Sequence, residues 1–326
     1  MGESNVSNCP DTPLVSVIVP TYQHAPYIEQ CIESILLQIT GFAVEILIGE
    51  DESSDGTREI CQRYAEQYPE RIRLFLGQRK HVISIMGRPT GRRNLLRLMG
   101  EARGRYIALC EGDDYWTDQL KLQKQVDLME RNAHWSACFH RVRVKYEQGQ
   151  NGVDVDFPLG VTKLEHVTED FLDSWFVPTC SLLYRNEPPV VLPEWIKTTL
   201  SADIPLLLLL SLRGPIGYLA DVMGVYRIHG AGLSRTTTHQ GYDKVRGMAH
   251  LYELFNAHTG FQYNDRIREA FIKEIRMHLP EVKELKALKA SQVPPLTLLD
   301  RAYYFAWVRF PALRSILDLV RSRKRK

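Results

Sequence analysis

The chain has 326 residues, 44% of them apolar and 25% charged, with 41 Lys and Arg against 39 Asp and Glu for a formal charge of +2. This is the balance of a globular protein of one large or two smaller domains, and it excludes a disordered chain, a collagen-like repeat and a polytopic membrane protein. The near-neutral total gives no electrostatic footprint for a nucleic-acid partner. The charge is uneven, however. Residues 297–326 hold eight basic and two acidic side chains, a local +6, which leaves −4 on the 296 residues before them.

Residues 1–13 are polar and have no apolar core of a signal peptide, and they read as a flexible lead-in. Val15-Ser16-Val17-Ile18-Val19 is a β-branched run stopped by Pro20, a buried strand. Pro26 suits the first turn of a helix, and Ile28, Ile32, Ile35 and Leu36 carry that helix to about Gln38. Glu45–Ile48 reads as a second strand, and Ser54 and Asp55 can cap a helix through Cys61 and Tyr64. Ile72–Leu76 is a third strand, Asn94–Glu101 a helix, and Tyr106–Cys110 a fourth strand. A further helix is expected from Thr117 as N-cap through Leu122, Val126 and Met129. Strands alternating with helices imply an α/β fold with a mainly parallel sheet.

From about 135 to 235 the pattern is one of short strands and loops. Beyond Gly241 it is helical, with a joint at Pro294-Pro295. The domain expectation is therefore a core over 14–235, split into halves 14–116 and 117–235, and a helical region over 236–326. The six cysteines are widely spaced, with no metal-type pairs, and suit free thiols in a cytoplasmic setting. The longest apolar run, Leu206–Leu212, is too short to span a bilayer.

In a parallel sheet, ligands bind beyond the carboxyl ends of the strands. Three polar clusters fall there: Pro20-Thr21-Tyr22, Glu50-Asp51, and Glu111-Gly112-Asp113-Asp114. The last places three carboxyl groups within four positions. Like charges so close repel, which favours a compensating cation, and oxygen ligands suit Mg²⁺ or Mn²⁺. A solvated acidic turn before a helix is the plain alternative. Asp51, Ser53, Asp55 and Gly56 match the opening of an EF-hand loop, but Gln62 stands where the bidentate Glu belongs, so Ca²⁺ is not expected.

Val15-Ser16-Val17-Ile18-Val19-Pro20-Thr21-Tyr22, then Glu50-Asp51 with Ser53-Ser54-Asp55-Gly56-Thr57, then Glu111-Gly112-Asp113-Asp114-Tyr115-Trp116 resemble, in order and spacing, the family 2 glycosyltransferases of GT-A fold. The resemblance covers roughly residues 14–235, and three ordered blocks are more specific than any one. It implies an inverting transfer from a nucleotide-sugar donor, UDP-sugars ahead of dTDP- or GDP-sugars, to a glycan or lipid-linked acceptor of bacterial surface-polysaccharide assembly. Pro20, Thr21 and Tyr22 would line the nucleotide pocket, Asp51 would meet the base, and Glu111, Gly112 and Asp113 would lie at the diphosphate. Asp113 would be the ligand of Mn²⁺ or Mg²⁺. The family's first Asp of this motif is here Glu111, which makes a contact behind the metal, or with ribose, the more plausible role for it.

Ser201-Ala202-Asp203-Ile204-Pro205-Leu206 resembles the family's acceptor segment, with Asp203 as the base that takes the acceptor proton; an N-cap before Ile204-Pro205 is the bland alternative. Tyr226-Arg227-Ile228-His229-Gly230 resembles the loop over the diphosphate, making His229 a candidate contact to metal or phosphate and Arg227 and Arg235 candidate charge partners. Arg88, with Arg92, Arg93 and Asn94, is placed near base and ribose, a solvated basic loop being the rival reading. Trp116 would border the acceptor pocket and stack on a sugar ring, or else pack under the next helix. The aromatic and basic segment 298–326 suits peripheral contact with an anionic membrane on the cytoplasmic face of the inner membrane, or a docked helix with a frayed tail. Two rivals stand beside the transferase. A sugar-nucleotidyltransferase would need a Gly-rich basic loop after the first strand, where Pro20-Thr21-Tyr22-Gln23-His24 stands. A non-catalytic nucleotide-sugar-binding or scaffold subunit would have no need of Asp113, Asp203 and His229.

Overall fold

A computed structural model of the protein describes residues 12–230 and 241–278. The expected flexible lead-in before residue 12, Arg235, the Pro294-Pro295 joint and the basic segment 298–326 lie outside the described residues. The chain divides into two compact units after residue 239.

The first unit is built on β1 (Val15–Thr21), α1 (Ile28–Leu36), β2 (Val44–Glu50), α2 (Thr57–Gln67), β3 (Ile72–Leu76), the hairpin β4 (Ile83–Ile85) and β5 (Arg88–Thr90), α3 (Arg92–Glu101), β6 (Tyr106–Leu109), β7 (Tyr115–Trp116) and α4 (Lys121–Arg131). It continues through β8 (Ala137–Tyr146), β9 (Val155–Phe157), β10 (Glu165–His166), α5 (Thr168–Asp173), β11 (Leu183–Arg185), α6 (Asp203–Ser211) and β12 (Ile216–Ile228). One sheet runs in the order β10-β12-β8-β11-β6-β1-β2-β3, with β7 added to β12 and β9 to β8.

The β3-β2-β1-β6 half is parallel. Alternation of residues along β1 explains the layering: Val15, Val17 and Val19 join one core cluster with Ile28, Cys31, Ile32 and Ile35 of α1 and Leu122, Val126 and Met129 of α4. β11 enters antiparallel between β6 and β8, so the second half of the sheet is mixed. Because β2 and β3 extend to one side of β1 and β6 lies on the other, the chain reverses its direction of progress at β1, and the cleft beyond the ends of β1 and β6 is a topological switch point.

Three local expectations differ from the structure. β1 continues through Pro20 to Thr21, because its ladder with β6 ends at Ile18 and Leu109 and the proline's missing donor has no strand to face. The helix expected from Thr117 starts at Lys121, since Tyr115-Trp116 pairs with β12 and the Thr117 N–H is taken by the Met223 carbonyl. Region 135–235 holds the two longest strands, β8 and β12, with a bulged register between them around Val222. The apolar run at Leu206–Leu210 is the buried helix α6.

α4 carries an unusual core residue. Lys121 is fully buried, its Nζ has no hydrogen-bond partner among the described residues, and it lies 3.7 Å from the centre of the Trp116 ring. Burial pushes the amine down from its ordinary 10.5 to about 7. Between pH 7 and 10.5 the unfolded chain therefore holds a proton that the folded chain has shed, so this residue's contribution to stability rises with pH across that window. Lys121→Met is expected to stabilise the protein at pH 7 by about 3 kcal/mol, taken from ~1.4 kcal/mol per pKa unit less the lost ring contact. Denaturant midpoints of both proteins at pH 7 and pH 9.5 check this: the gain should shrink at the higher pH, and equal midpoints at pH 7 would contradict it.

The second unit is described as a helical hairpin, α7 (Gly241–His258) and α8 (Asn264–His278). Leu251 and Phe255 of α7 and Ile267 and Ala270 of α8 are buried, and Asn256 bonds to Asn264 across the turn. No helix among the described residues is long and apolar enough to cross a membrane.

Candidate functional site

β1, β2 and β6 end side by side, and the residues just past each end meet in the cleft. The Gly112 N–H donates to the Pro20 carbonyl and the Asp51 N–H to the Thr21 carbonyl, which ties the three loops together. Gly112 is required by close approach: a Cβ there would stand 2.5 Å from Thr21 Oγ1 and 3.0 Å from His24 Nδ1.

Asp113 is the centre of the acidic cluster. Its Oδ2 lies 2.9 Å from Nε2 of His229, which follows β12, and 3.7 Å from Nε2 of His24, which follows β1. The ligand-type atoms of His24, Asp113 and His229 all lie within 4.8 Å of one another. Thr21 Oγ1 sits 3.2 Å from His24 Nδ1 and fixes the ring on its far side. Burial opposes ionisation of Asp113, but the two imidazoles outweigh it and hold the carboxyl below its ordinary range. Burial also lowers the pKa of His24, with Asp113 pulling the other way, so the imidazole is neutral at pH 7 and able to bind an electrophile.

The other two carboxyl groups behave differently. Asp114 is buried, and its Oδ1 accepts the Arg227 backbone N–H at 2.8 Å. Burial, then Asp113 and Glu111, push its pKa well above the ordinary value. Glu111 is pushed up to about 8 by burial, by Asp113 and, less strongly, by Asp203. Its Oε2 is buried with no hydrogen-bond partner among the described residues. The cluster that reads in sequence as three like charges is thus split: Asp113 is held below the ordinary carboxyl range, and Glu111 and Asp114 are pushed above it.

Two imidazole nitrogens and one carboxylate oxygen fit a divalent cation of intermediate hardness. Among the described residues this is the one group that could hold a metal ion.

Asp51 stands beside this centre. It is buried, and its Oδ2 accepts from Nη1 of Arg79 at 2.9 Å. The same guanidinium lies 4.0 Å from the centre of the half-exposed Tyr22 ring. Glu50, fully buried, anchors the loop from below through Arg58 and the Ser53 N–H. The result is a shelf of Tyr22, Arg79 and Asp51, with a π face, a cation and a carboxylate on one wall of the cleft.

Asp203 is the first residue of α6, with Ala202 as N-cap, so the capping alternative is displaced by one position. It is in electrostatic contact with both Glu111 and Arg92. Arg92 is buried and donates to the carbonyls of Ile196 and Thr199, which secures the chain just before α6. Burial, opposed by Asp203, brings its pKa down to about 10.

Several expected positions differ. Arg92 donates to the segment before Asp203, Arg93 bonds to the His81 carbonyl, and Asn94 bonds to the Gly49 carbonyl near the end of β2. Arg88 lies exposed on the separate β4–β5 hairpin. Arg227 is no free charge for a diphosphate. It is buried between the Tyr27 and Tyr115 rings and bonds to the Asp113 carbonyl, Glu147 and Gln30, which makes it a strut under the acidic turn. Trp116, expected to stack on an acceptor sugar, is 4% exposed, donates its indole N–H to the Cys180 carbonyl, and has its face covered by Lys121. Its ring is spent on packing.

Sequence reasoning missed two residues. His24 stood in view after Pro20-Thr21-Tyr22-Gln23 without a role, because nothing in one segment says it will meet Asp113. Arg79 opens the short run Arg79-Lys80-His81, whose charge was the available signal.

Comparison with known proteins adds to this geometry. The model of the Glycosyl transferase family 2 matches residues 16–187. The chain is 33% identical over 263 residues to the uncharacterised protein Rv1520 of Mycobacterium tuberculosis, covering 80% of this chain and 72% of that one. It is 39% identical over 128 residues to the putative teichuronic acid biosynthesis glycosyltransferase TuaG of Bacillus subtilis, covering 38% and 45%. Among solved structures it is similar to S. aureus TarS 1–349 in complex with UDP-GlcNAc, with a TM-score of 0.58 at 17% identity over 85% of this chain and 77% of that one. The match spans 46% of the longer TarS chain. It is also similar to the mannosyltransferase PcManGT of Pyrobaculum calidifontis in complex with GDP-Man and Mn²⁺, with a TM-score of 0.56 at 17% identity over 94% and 84%. These likenesses show the GT-A fold.

Proposed function

The chain belongs to the family 2 glycosyltransferases, and from that premise we propose that it moves a sugar with inversion from a nucleoside diphosphate sugar, a UDP-sugar first among them, to a hydroxyl of a glycan or lipid-linked glycan in surface-polysaccharide synthesis. The observation that carries this reading is the meeting of Asp113, His24 and His229 at the switch point, with Asp203 facing the same acidic turn.

Tyr22 and Asp51 receive the base, with Arg79 completing the shelf, and Gly112 lets the diphosphate approach the backbone. Asp113, His229 and His24 hold Mn²⁺ or Mg²⁺, and two imidazoles in the set favour Mn²⁺. That ion, when bound, neutralises charge on the diphosphate. Asp203 accepts the proton of the acceptor hydroxyl while its oxygen bonds to the anomeric carbon. The bond from that carbon to the diphosphate oxygen breaks with its electron pair on the departing diphosphate. The orphaned Oε2 of Glu111 supports the reading: a neutral carboxyl group beside Asp113 avoids a second negative charge facing the donor. TuaG, named for teichuronic acid biosynthesis, supports the polysaccharide setting.

Release of nucleoside diphosphate from UDP-, GDP- and dTDP-sugars, in Mn²⁺ and in EDTA, tests the proposal. Metal-dependent release with one nucleotide, accelerated by a glycan acceptor, is the expected result. An inert protein under every condition would favour the scaffold reading.

The shelf carries its own test. Arg79→Ala removes the partner of Asp51 and the cation over Tyr22, and is expected to weaken UDP binding about tenfold, the scale of a charge-assisted contact. Calorimetric titration with UDP checks it, and an unchanged dissociation constant would separate the shelf from the donor.

A further inference from the structure

Within a body of net charge −4, residues 71–100 hold eight Lys and Arg and no Asp or Glu. Some of these cations are spent inside the fold. Arg73 pairs with Glu45 and Glu101, Arg79 with Asp51, and Arg92 is buried against the carbonyls of Ile196 and Thr199. Lys80, Arg88, Arg93 and Arg97 are exposed. Arg93 donates to the His81 carbonyl and Arg97 to the Leu76 carbonyl, both at 3.2 Å, which draws the exposed face of α3 against the end of β3 and the turn Arg79–His81. Neither bond neutralises a charge. Glu52 touches this face, accepting the Arg79 N–H, and offsets one cation. The end of β3 adds an apolar element: Leu76 is 42% exposed, and the Arg97 guanidinium lies 5.0 Å from the centre of the Phe75 ring.

We propose that this basic face docks on a bilayer carrying anionic phospholipid. The phosphates of the headgroups meet Lys80, Arg88, Arg93 and Arg97, whose long side chains can lie along apolar surface beside Leu76 with their charges in the headgroup layer. The placement suits the cleft. β1, β2 and β3 are parallel, so Leu76 ends on the side where the cleft opens, and Lys80 follows Arg79 of the donor shelf. Docking there turns the rim of the cleft toward the lipid, where a lipid-linked acceptor is held; this purpose, though not the docking itself, rests on the transfer reaction proposed above. An anionic glycan acceptor fits the same charges less well. Arg92 of α3 faces the segment before Asp203, whereas Arg93 and Arg97 face the edge strand β3, so a glycan gripped by them would run away from the base.

Co-sedimentation of the full chain with vesicles, of phosphatidylcholine alone or mixed in equal parts with phosphatidylglycerol, tests the proposal. The protein should bind the mixed vesicles only, and should leave them as salt is raised. Lys80→Gln combined with Arg97→Gln should weaken that binding roughly thirtyfold, at about fivefold for each cation removed. Arg103→Gln combined with Arg131→Gln takes the same charge from exposed residues at the opposite end of the sheet, before β6 and at the end of α4, and should change binding less than about twofold. No binding to the mixed vesicles, binding untouched by the Lys80 and Arg97 changes, or an equal loss in both double variants would overturn the proposal. Capture of soluble polygalacturonate in place of vesicles, lost with Lys80 and Arg97, would overturn it in favour of an anionic glycan. The vesicle measurement needs no donor, so a protein that docks as expected but binds no nucleotide would sink the transfer reaction and leave the docking face standing.

Discussion

Asp203→Asn is expected to lower the turnover number roughly 10²–10⁴-fold, the usual scale of a general base, while leaving the affinity for UDP in Mn²⁺ unchanged. The substitution keeps the shape and removes the proton acceptor. Asp203 holds the first position of α6, where an amide is tolerated, and the segment before it stays anchored by Arg92. The split between turnover and donor affinity is the informative part. A residue needed only for folding would lose both together, and one needed only for donor binding would raise the donor KM and spare kcat. Steady-state kinetics with saturating donor, beside a UDP titration of the same preparation, reads both. Unchanged turnover would remove Asp203 from the reaction.

Asp113→Ala is expected to have a comparable effect by another route. It removes the carboxyl that is held below its ordinary range in the acidic turn, and the atom that both imidazoles face. Metal-assisted charge neutralisation supplies several kcal/mol, so turnover should fall at least 10²–10³-fold. Here donor affinity should fall as well, and the difference between Mn²⁺ and EDTA should vanish. The fold should survive, because Asp114 and not Asp113 makes the buried bond to the Arg227 backbone. Turnover with and without metal, together with a thermal melt, checks this. A variant that kept its metal response would place the ion elsewhere.

Much of the parallel half was legible because its signals are local. β-branched runs at Val15–Val19 and Ile72–Leu76 and helical spacing at Ile28, Ile32 and Ile35 need no distant partner. Asp113 and His229 stood out as residues, but their 2.9 Å approach depends on β12 bringing a loop 116 positions later beside the acidic turn, and no spacing in the chain encodes that. Trp116 shows the opposite error. In sequence it borders the acidic block, but the two-residue strand β7 and the buried Lys121 turn its ring inward. Arg227 read as a loop charge, and only the enclosing Tyr27, Tyr115, Gln30 and Glu147 reveal a strut. Residues in the second half were less legible because β11 interrupts the parallel order, so strand ends no longer predict where a side chain meets the cleft.

The central claim is that Asp113, His24 and His229 together make a metal-dependent donor diphosphate site. Calorimetric titration of the protein with UDP, once in Mn²⁺ and once in EDTA, addresses it most directly. The account requires binding in Mn²⁺ that is lost or weakened at least about tenfold in EDTA. Equal affinity under the two conditions, or no binding of UDP, GDP or dTDP in either, would contradict it.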